Sequence, residues 1–169
     1  IEQQPEFPEA YDHLGRALLH VGRVEDAIEA YRQALALRPD FVHAHHGLGV
    51  ALYLNGELDE AIRALERALE LKPDLSRAHH DLGVALLDRG EIERAIVAFQ
   101  AAIQTAGRPY PEGYYDLGNA YFARGDLEQA IAAYRTAIEH KPDFGQAHYR
   151  LGLALWERGE VAEARAAFH

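Results

Sequence analysis

The 169-residue chain contains no cysteine, which excludes disulfides, thiolate nucleophiles and Cys-ligated zinc. Aliphatic hydroxyls are almost as scarce, being limited to Ser76, Thr105 and Thr136, so nucleophilic catalysis has little to work with. No apolar run approaches the length of a membrane span, and no secretory leader is visible. The lack of cysteine leaves cytoplasm and periplasm both open; the cytoplasm is the expected compartment. Lysine is confined to Lys72 and Lys141 among 17 basic residues. The arginine excess reads as a bacterial composition bias rather than a site. With 27 acidic residues the formal net charge is −10, which argues against nucleic acid and anionic membranes as partners.

What is present is a repeat. A glycine recurs at Gly15, Gly49, Gly83, Gly118 and Gly152, in steps of 34, 34, 35 and 34 residues. A second glycine follows each by seven residues, at Gly22, Gly56, Gly90, Gly125 and Gly159. An alanine keeps the same frame at Ala27, Ala61, Ala95, Ala130 and Ala164, and a leucine precedes each first glycine. The clearest unit is Val42 to Leu75. Its periodicity predicts two amphipathic helices, His43–Leu54 and Leu58–Leu71, around a turn at Asn55-Gly56. Numbered from 1 at Pro8, Val42, Ser76, Pro111 and Gly145, every unit is apolar or aromatic at position 24: Tyr31, Leu65, Phe99, Tyr134 and Phe168.

A glycine inside a helix costs roughly 1 kcal/mol against alanine, so five of them need an offset. Close approach supplies one: Gly49 shares a face with His45, Leu48 and Leu52, and Ala61 and Ala68 are expected opposite it. The turn glycines suit a left-handed helix end. Pro39 stops one helix, and the Asp40 carboxylate is expected to cap the next.

This 34-residue pattern resembles the tetratricopeptide repeat along the whole chain. The resemblance implies an all-α, right-handed superhelical solenoid of antiparallel helix pairs. The expected organisation is one array: residues 1–7 as the tail of a preceding repeat, then repeats 8–41, 42–75, 76–110, 111–144 and a truncated 145–169. Ile1–Phe7 (IEQQPEF) matches Ile138–Phe144 (IEHKPDF), which points to a piece of a longer protein. The third repeat is one residue long around Thr105–Tyr110, so its second helix should end near Ala106 with a local irregularity. Uncapped apolar ends make end-to-end stacking a possible homo-oligomer.

In this family the first helices line the concave wall. Positions 2, 5, 9 and 12 form the stripe left over by the core face at about 100° per residue. The expected groove residues are therefore Asp12 and Arg16; His46, Val50 and Tyr53; His80, Val84 and Leu87; Tyr115, Asn119 and Phe122; Tyr149 and Trp156. Glu9, Leu19, His43, Arg77, Glu112, Gln146 and Leu153 complete the stripe. An apolar and aromatic floor with His and Tyr above suits an extended peptide or an amphipathic helix. Packing of these residues among themselves is the alternative. The family's carboxylate clamp is missing, since Asp12, Arg16, Gly47, Arg77 and Asp81 stand at its positions in the first three repeats. The family's asparagine ladder is missing too: its column reads His13, Gly47, Asp81, Asp116 and Arg150.

The chain has ten histidines. His45, His79 and His148 occupy position 4, where Tyr11 and Tyr114 also stand, and are expected as flat rings between helices. His43, His46 and His80 fall on the groove stripe and could make binding pH-dependent below about pH 6.5. They lack a carboxylate at fixed ligand spacing, so no metal and no cofactor is expected. Glu57, Asp59, Glu60, Glu66 and Glu70 read as solvated helix faces. The expectation is a non-catalytic scaffold that binds a protein partner in its groove. A stacking oligomerisation module, or the recognition arm of a larger enzyme such as a glycosyltransferase, are the alternatives.

Overall fold

The structure, a computed structural model, describes residues 7–168. The stretch expected to be the tail of an earlier repeat therefore lies, but for Phe7, outside the described residues, as does His169. Ten helices follow one another: α1 (Pro8–His20), α2 (Val24–Leu37), α3 (Val42–Leu54), α4 (Leu58–Leu71), α5 (Ser76–Asp88), α6 (Ile92–Thr105), α7 (Pro111–Arg124), α8 (Leu127–His140), α9 (Gly145–Glu157) and α10 (Val161–Ala167). No strand occurs among the described residues. Helix α3 begins one residue before its predicted start, and α4 matches its prediction. Helix α6 ends at Thr105, with Ala106 as its cap, close to where the extra residue was expected to stop it.

Within each repeat a turn of two or three residues reverses the chain, so consecutive helices pack antiparallel. Gly22, Gly56, Gly90, Gly125 and Gly159 stand in these turns at φ between 77° and 89°. A side chain is strained in that left-handed region, which is why glycine ends each first helix.

The chain divides into two compact units, residues 1–85 and 86–169, with the boundary inside α5. The core of the first gathers Ile28, Tyr31 and Leu52 with Ala27, Ala34, Ala44, Ala51 and Ala61. That of the second gathers Ile131, Tyr134, Leu151 and Leu155 with Ala130, Ala154 and Ala164. Alanines at positions 3 and 10 of first helices, such as Ala44, Ala51, Ala147 and Ala154, are fully buried. They let neighbouring helix pairs approach closely.

The helix glycines do something other than face small residues. A Cβ on Gly49 would lie 2.6 Å from the Leu65 side chain, and only then 3.2 Å from the Ala61 carbonyl. On Gly118 it would lie 2.5 Å from the Tyr134 ring, and on Gly152 2.5 Å from Phe168. Gly49, Gly118 and Gly152, and Gly15 against Tyr31, are each a socket for the large position-24 side chain of their own repeat. Helix capping also differs from expectation. The residue before α3 is Phe41, with no side-chain cap, and Phe144 stands likewise before α9. Asp40 lies one residue too early, in the turn.

The position-4 histidines hold these corners instead. His45 Nε2 donates to the Pro39 carbonyl at 2.8 Å, His79 to Pro73 at 2.7 Å and His148 to Pro142 at 2.9 Å. A proline carbonyl in the turn between repeats, beyond the helix end, is thereby given a partner. Ion pairs link the second helices of successive repeats, as in Arg32 to Glu60 at 3.5 Å and Arg135 to Glu163 at 2.7 Å.

Candidate functional site: a polar cavity and an aromatic face

In the N-terminal unit, positions 5, 9 and 12 of α1, positions 2, 5 and 9 of α3 and position 2 of α5 converge. Asp12, Arg16, Leu19, His43, His46, Val50 and Arg77 line one cavity of about 590 Å3 together with Tyr31, Gly47 and Leu75. The helical period explains the convergence, because residues three and four apart share a face. Of the sequence-predicted site residues, Asp12, Arg16, His46 and Val50 lie in this cavity.

Asp12 is the unusual member. It is only 4% exposed, and its Oδ1 has no hydrogen-bond partner among the described residues. Beside it is Tyr31, buried to 1% exposure. Burial pushes the Tyr31 phenol up to about 12; the Asp12 charge adds to the shift and Arg16 opposes it. Tyr31 fits because two glycines make room. A Cβ on Gly15 would lie 2.8 Å from its ring, and one on Gly47 2.5 Å away, with the hydroxyl at 2.8 Å. Gly47 had no role in the repeat pattern, and its purpose becomes visible only when α2 and α3 are packed together.

A second polar group joins α3 to α5. His46 Nε2 contacts Asp81 Oδ2 at 2.7 Å, and His80 Nδ1 approaches Asp81 Oδ1 at 3.3 Å. Burial raises the Asp81 carboxyl, but hydrogen bonds from His46 and His80 outweigh it and hold the group down at about 2. Sequence reasoning met Asp81 only as a break in a column. Its signal was a carboxylate one residue from one histidine and 35 from another, legible only after folding. No group of three or more His, Asp or Glu arranged to hold a metal ion occurs among the described residues.

The other predicted residues are distributed differently. Tyr53 packs against the N-terminal core. His80, Val84 and Leu87 on α5 are half-buried. In the C-terminal unit Tyr115 and Phe122 pack against the core, Tyr115 with its ring 5.1 Å from Phe144. Asn119 accepts a hydrogen bond from the Tyr134 hydroxyl at 2.9 Å and donates weakly to Asp116 at 3.4 Å. Tyr149 and Trp156 are open, at 57% and 61% exposure. The Tyr149 and Phe168 rings meet at a tilt of 53°, centroids 5.9 Å apart, beside a second cavity of about 370 Å3, which Pro142, Gly145 and His148 also line. The two units thus differ: the first carries charge in a hollow, the second aromatic surface.

Tetratricopeptide repeat models match residues 13–76 and 52–111, and a TPR repeat model matches 118–159. No curated protein sequence matches the chain. Among solved structures, the crystal structure of MamA is 32% identical, covers 91% of this chain and 90% of its own, and superposes with a TM-score of 0.86. PilF of Pseudomonas aeruginosa is 23% identical over 95% of this chain and 72% of its own, with a TM-score of 0.84. YrrB, described as a TPR protein with an unusual peptide-binding site, is 22% identical over 93% of this chain and 80% of its own, at 0.79. The last two share the fold, a solenoid of packed helix pairs. With family models matched between residues 13 and 159 and a 32% identical structure aligned along nine-tenths of its length, the chain belongs to the tetratricopeptide repeat family.

Proposed function

We propose that the chain is a protein-interaction module that holds a peptide or helical segment against its first helices, without chemistry of its own. The observation that carries this reading is the convergence of first-helix residues from three successive repeats on one cavity of about 590 Å3. A hollow of that size lies within the range that accepts small ligands; what favours a side chain of a bound segment is that exposed arginines of α1 and α5 border it. The open Trp156 and Tyr149 rings add the kind of aromatic surface that anchors partners. YrrB, which shares the fold, is described as having a peptide-binding site, and that likeness supports the same use here.

The test is panning of a displayed dodecapeptide library on the immobilised chain, followed by affinity measurement on the selected peptides. Binding that weakens about tenfold or more in Trp156→Ala or Arg77→Ala is expected. Tyr53 and Phe122 are poorer probes, because both pack against the cores and their loss would unsettle the fold. Selected peptides that bind both variants as tightly as the parent would place the contact surface elsewhere.

A further inference from the structure

The polar cavity of the N-terminal unit has a sign pattern that narrows what can enter it. At its inner end is Asp12, more than nine-tenths buried and with an oxygen that nothing among the described residues satisfies. Burying a carboxylate without a partner is costly, and a cation is the group that relieves it best. The Tyr31 hydroxyl, beside it, makes no hydrogen bond among the described residues. Its counterpart Tyr134 is spoken for by Asn119; the residue at Asn119's repeat position here is Arg16, which cannot accept a proton. Nearer the mouth the sign reverses. Arg16 and Arg77 are exposed and form no ion pair among the described residues. A free anion would suit the mouth but be repelled by Asp12, and a lone cation would meet the opposite conflict.

We propose that this cavity receives an arginine or lysine side chain of the bound segment, its cation on Asp12 and its acidic neighbours on Arg16 and Arg77. The proposal rests on the reading of the chain as a peptide-binding module and names the chemistry that the module selects. The buried aspartate provides selectivity, because a site built around a charge rejects a ligand that leaves it unpaired. The two arginines set the flanking sequence and the rate of encounter.

The probe is acetyl-Glu-Glu-Arg-Glu-Glu-amide, titrated by calorimetry at low salt against the same peptide with glutamine replacing arginine. The arginine peptide is expected to bind at least about tenfold more tightly. In Asp12→Asn the two peptides become equal, and in Arg16→Gln both weaken by similar factors. Equal affinity of the two peptides for the parent protein, or an undiminished arginine preference in Asp12→Asn, overturns the proposal. So does free L-arginine binding as tightly as the peptide, which would make the occupant an amino acid rather than a segment. Should Asp12→Asn fold poorly, the peptide pair measured on the parent protein still decides. If library peptides bind but none favours a basic residue, this inference falls while the interaction module stands; if no peptide binds at all, both fall.

Discussion

Tyr31 and Tyr134 occupy the same place in their repeats, each seated in a glycine socket at the centre of its unit. The Tyr134 hydroxyl ends on Asn119, closing a polar contact inside a unit that exposes aromatic rings at Tyr149 and Trp156. The Tyr31 hydroxyl ends beside an unsatisfied carboxylate on a hollow ringed by charge. One repeat position thus serves packing in one unit and leaves bonding capacity unused in the other. The lesson is that a repeat fixes which side chains meet. The residues at the variable positions, 5 and 9 here, decide whether the meeting is complete.

The largest expected effect tests what the two tyrosines share. Gly118→Leu would drive a branched side chain into the Tyr134 ring, where even a Cβ would be 2.5 Å away. Overpacking of this kind costs about 3 kcal/mol or more, and the melting temperature should fall by roughly 10 °C. Gly47→Leu should do the same to the other unit through Tyr31. Gly56→Ala, in a turn with open space around it, strains only the backbone and should cost about 1 kcal/mol. Thermal melts of the three variants separate a socket from a turn. If Gly118→Leu melts with the parent, the socket is not what holds the ring.

Removing the hydroxyls tests what the tyrosines do not share. Tyr134→Phe strands the Asn119 oxygen and should cost about 1 kcal/mol. Tyr31→Phe breaks no hydrogen bond and should leave stability unchanged within about 0.5 kcal/mol. Urea midpoints with equal slopes give the comparison directly. Equal losses would mean that Tyr31 has a partner in solution.

Asp12→Asn turns on the same asymmetry with the opposite sign. Replacing a buried, incompletely bonded carboxylate with a neutral amide should stabilise the chain by about 1 kcal/mol. Such a gain is the usual mark of a residue kept for binding rather than for folding. A clear loss in urea would show that Asp12 is a structural acceptor.

The fold was legible because its signals are periodic and local: helix pairs, glycine turns and buried alanines follow from spacing alone. The first-helix stripe rests on the same period, and four of its residues, Asp12, Arg16, His46 and Val50, line one cavity. Contacts between repeats were not. Gly47 reads as a gap in a column until Tyr31 is packed against it. Asp40 was given a capping role that its position one residue before Phe41 denies it. His45, His79 and His148 looked like flat fillers, whereas each ties a proline carbonyl six residues back. Asp81 sits 35 residues from the histidine it bonds. Spacing within a helix fixes a face, but which residues of the next repeat meet that face depends on the crossing of two helix pairs.

The smallest expected effect concerns that Asp81 link, which gives the charged unit an acid sensitivity tied to the cavity wall. The carboxyl sits at about 2 in the folded chain against 3.8 ordinarily. A lowered value means the folded form holds its charge more readily than the unfolded one. The stabilisation is therefore complete above about pH 4 and is lost as pH falls through 3.8 towards 2. The side chain is about one-third exposed, so solvent screening limits the gain to about 1 kcal/mol or less. Asp81→Asn should lower stability by that amount at pH 5 to 7, and the difference from the parent should vanish near pH 2. A difference that stays constant from pH 6 down to pH 2 would mean that charge is not what joins α3 to α5. The loss would then lie in packing, and the contrast between the two units would be one of shape alone.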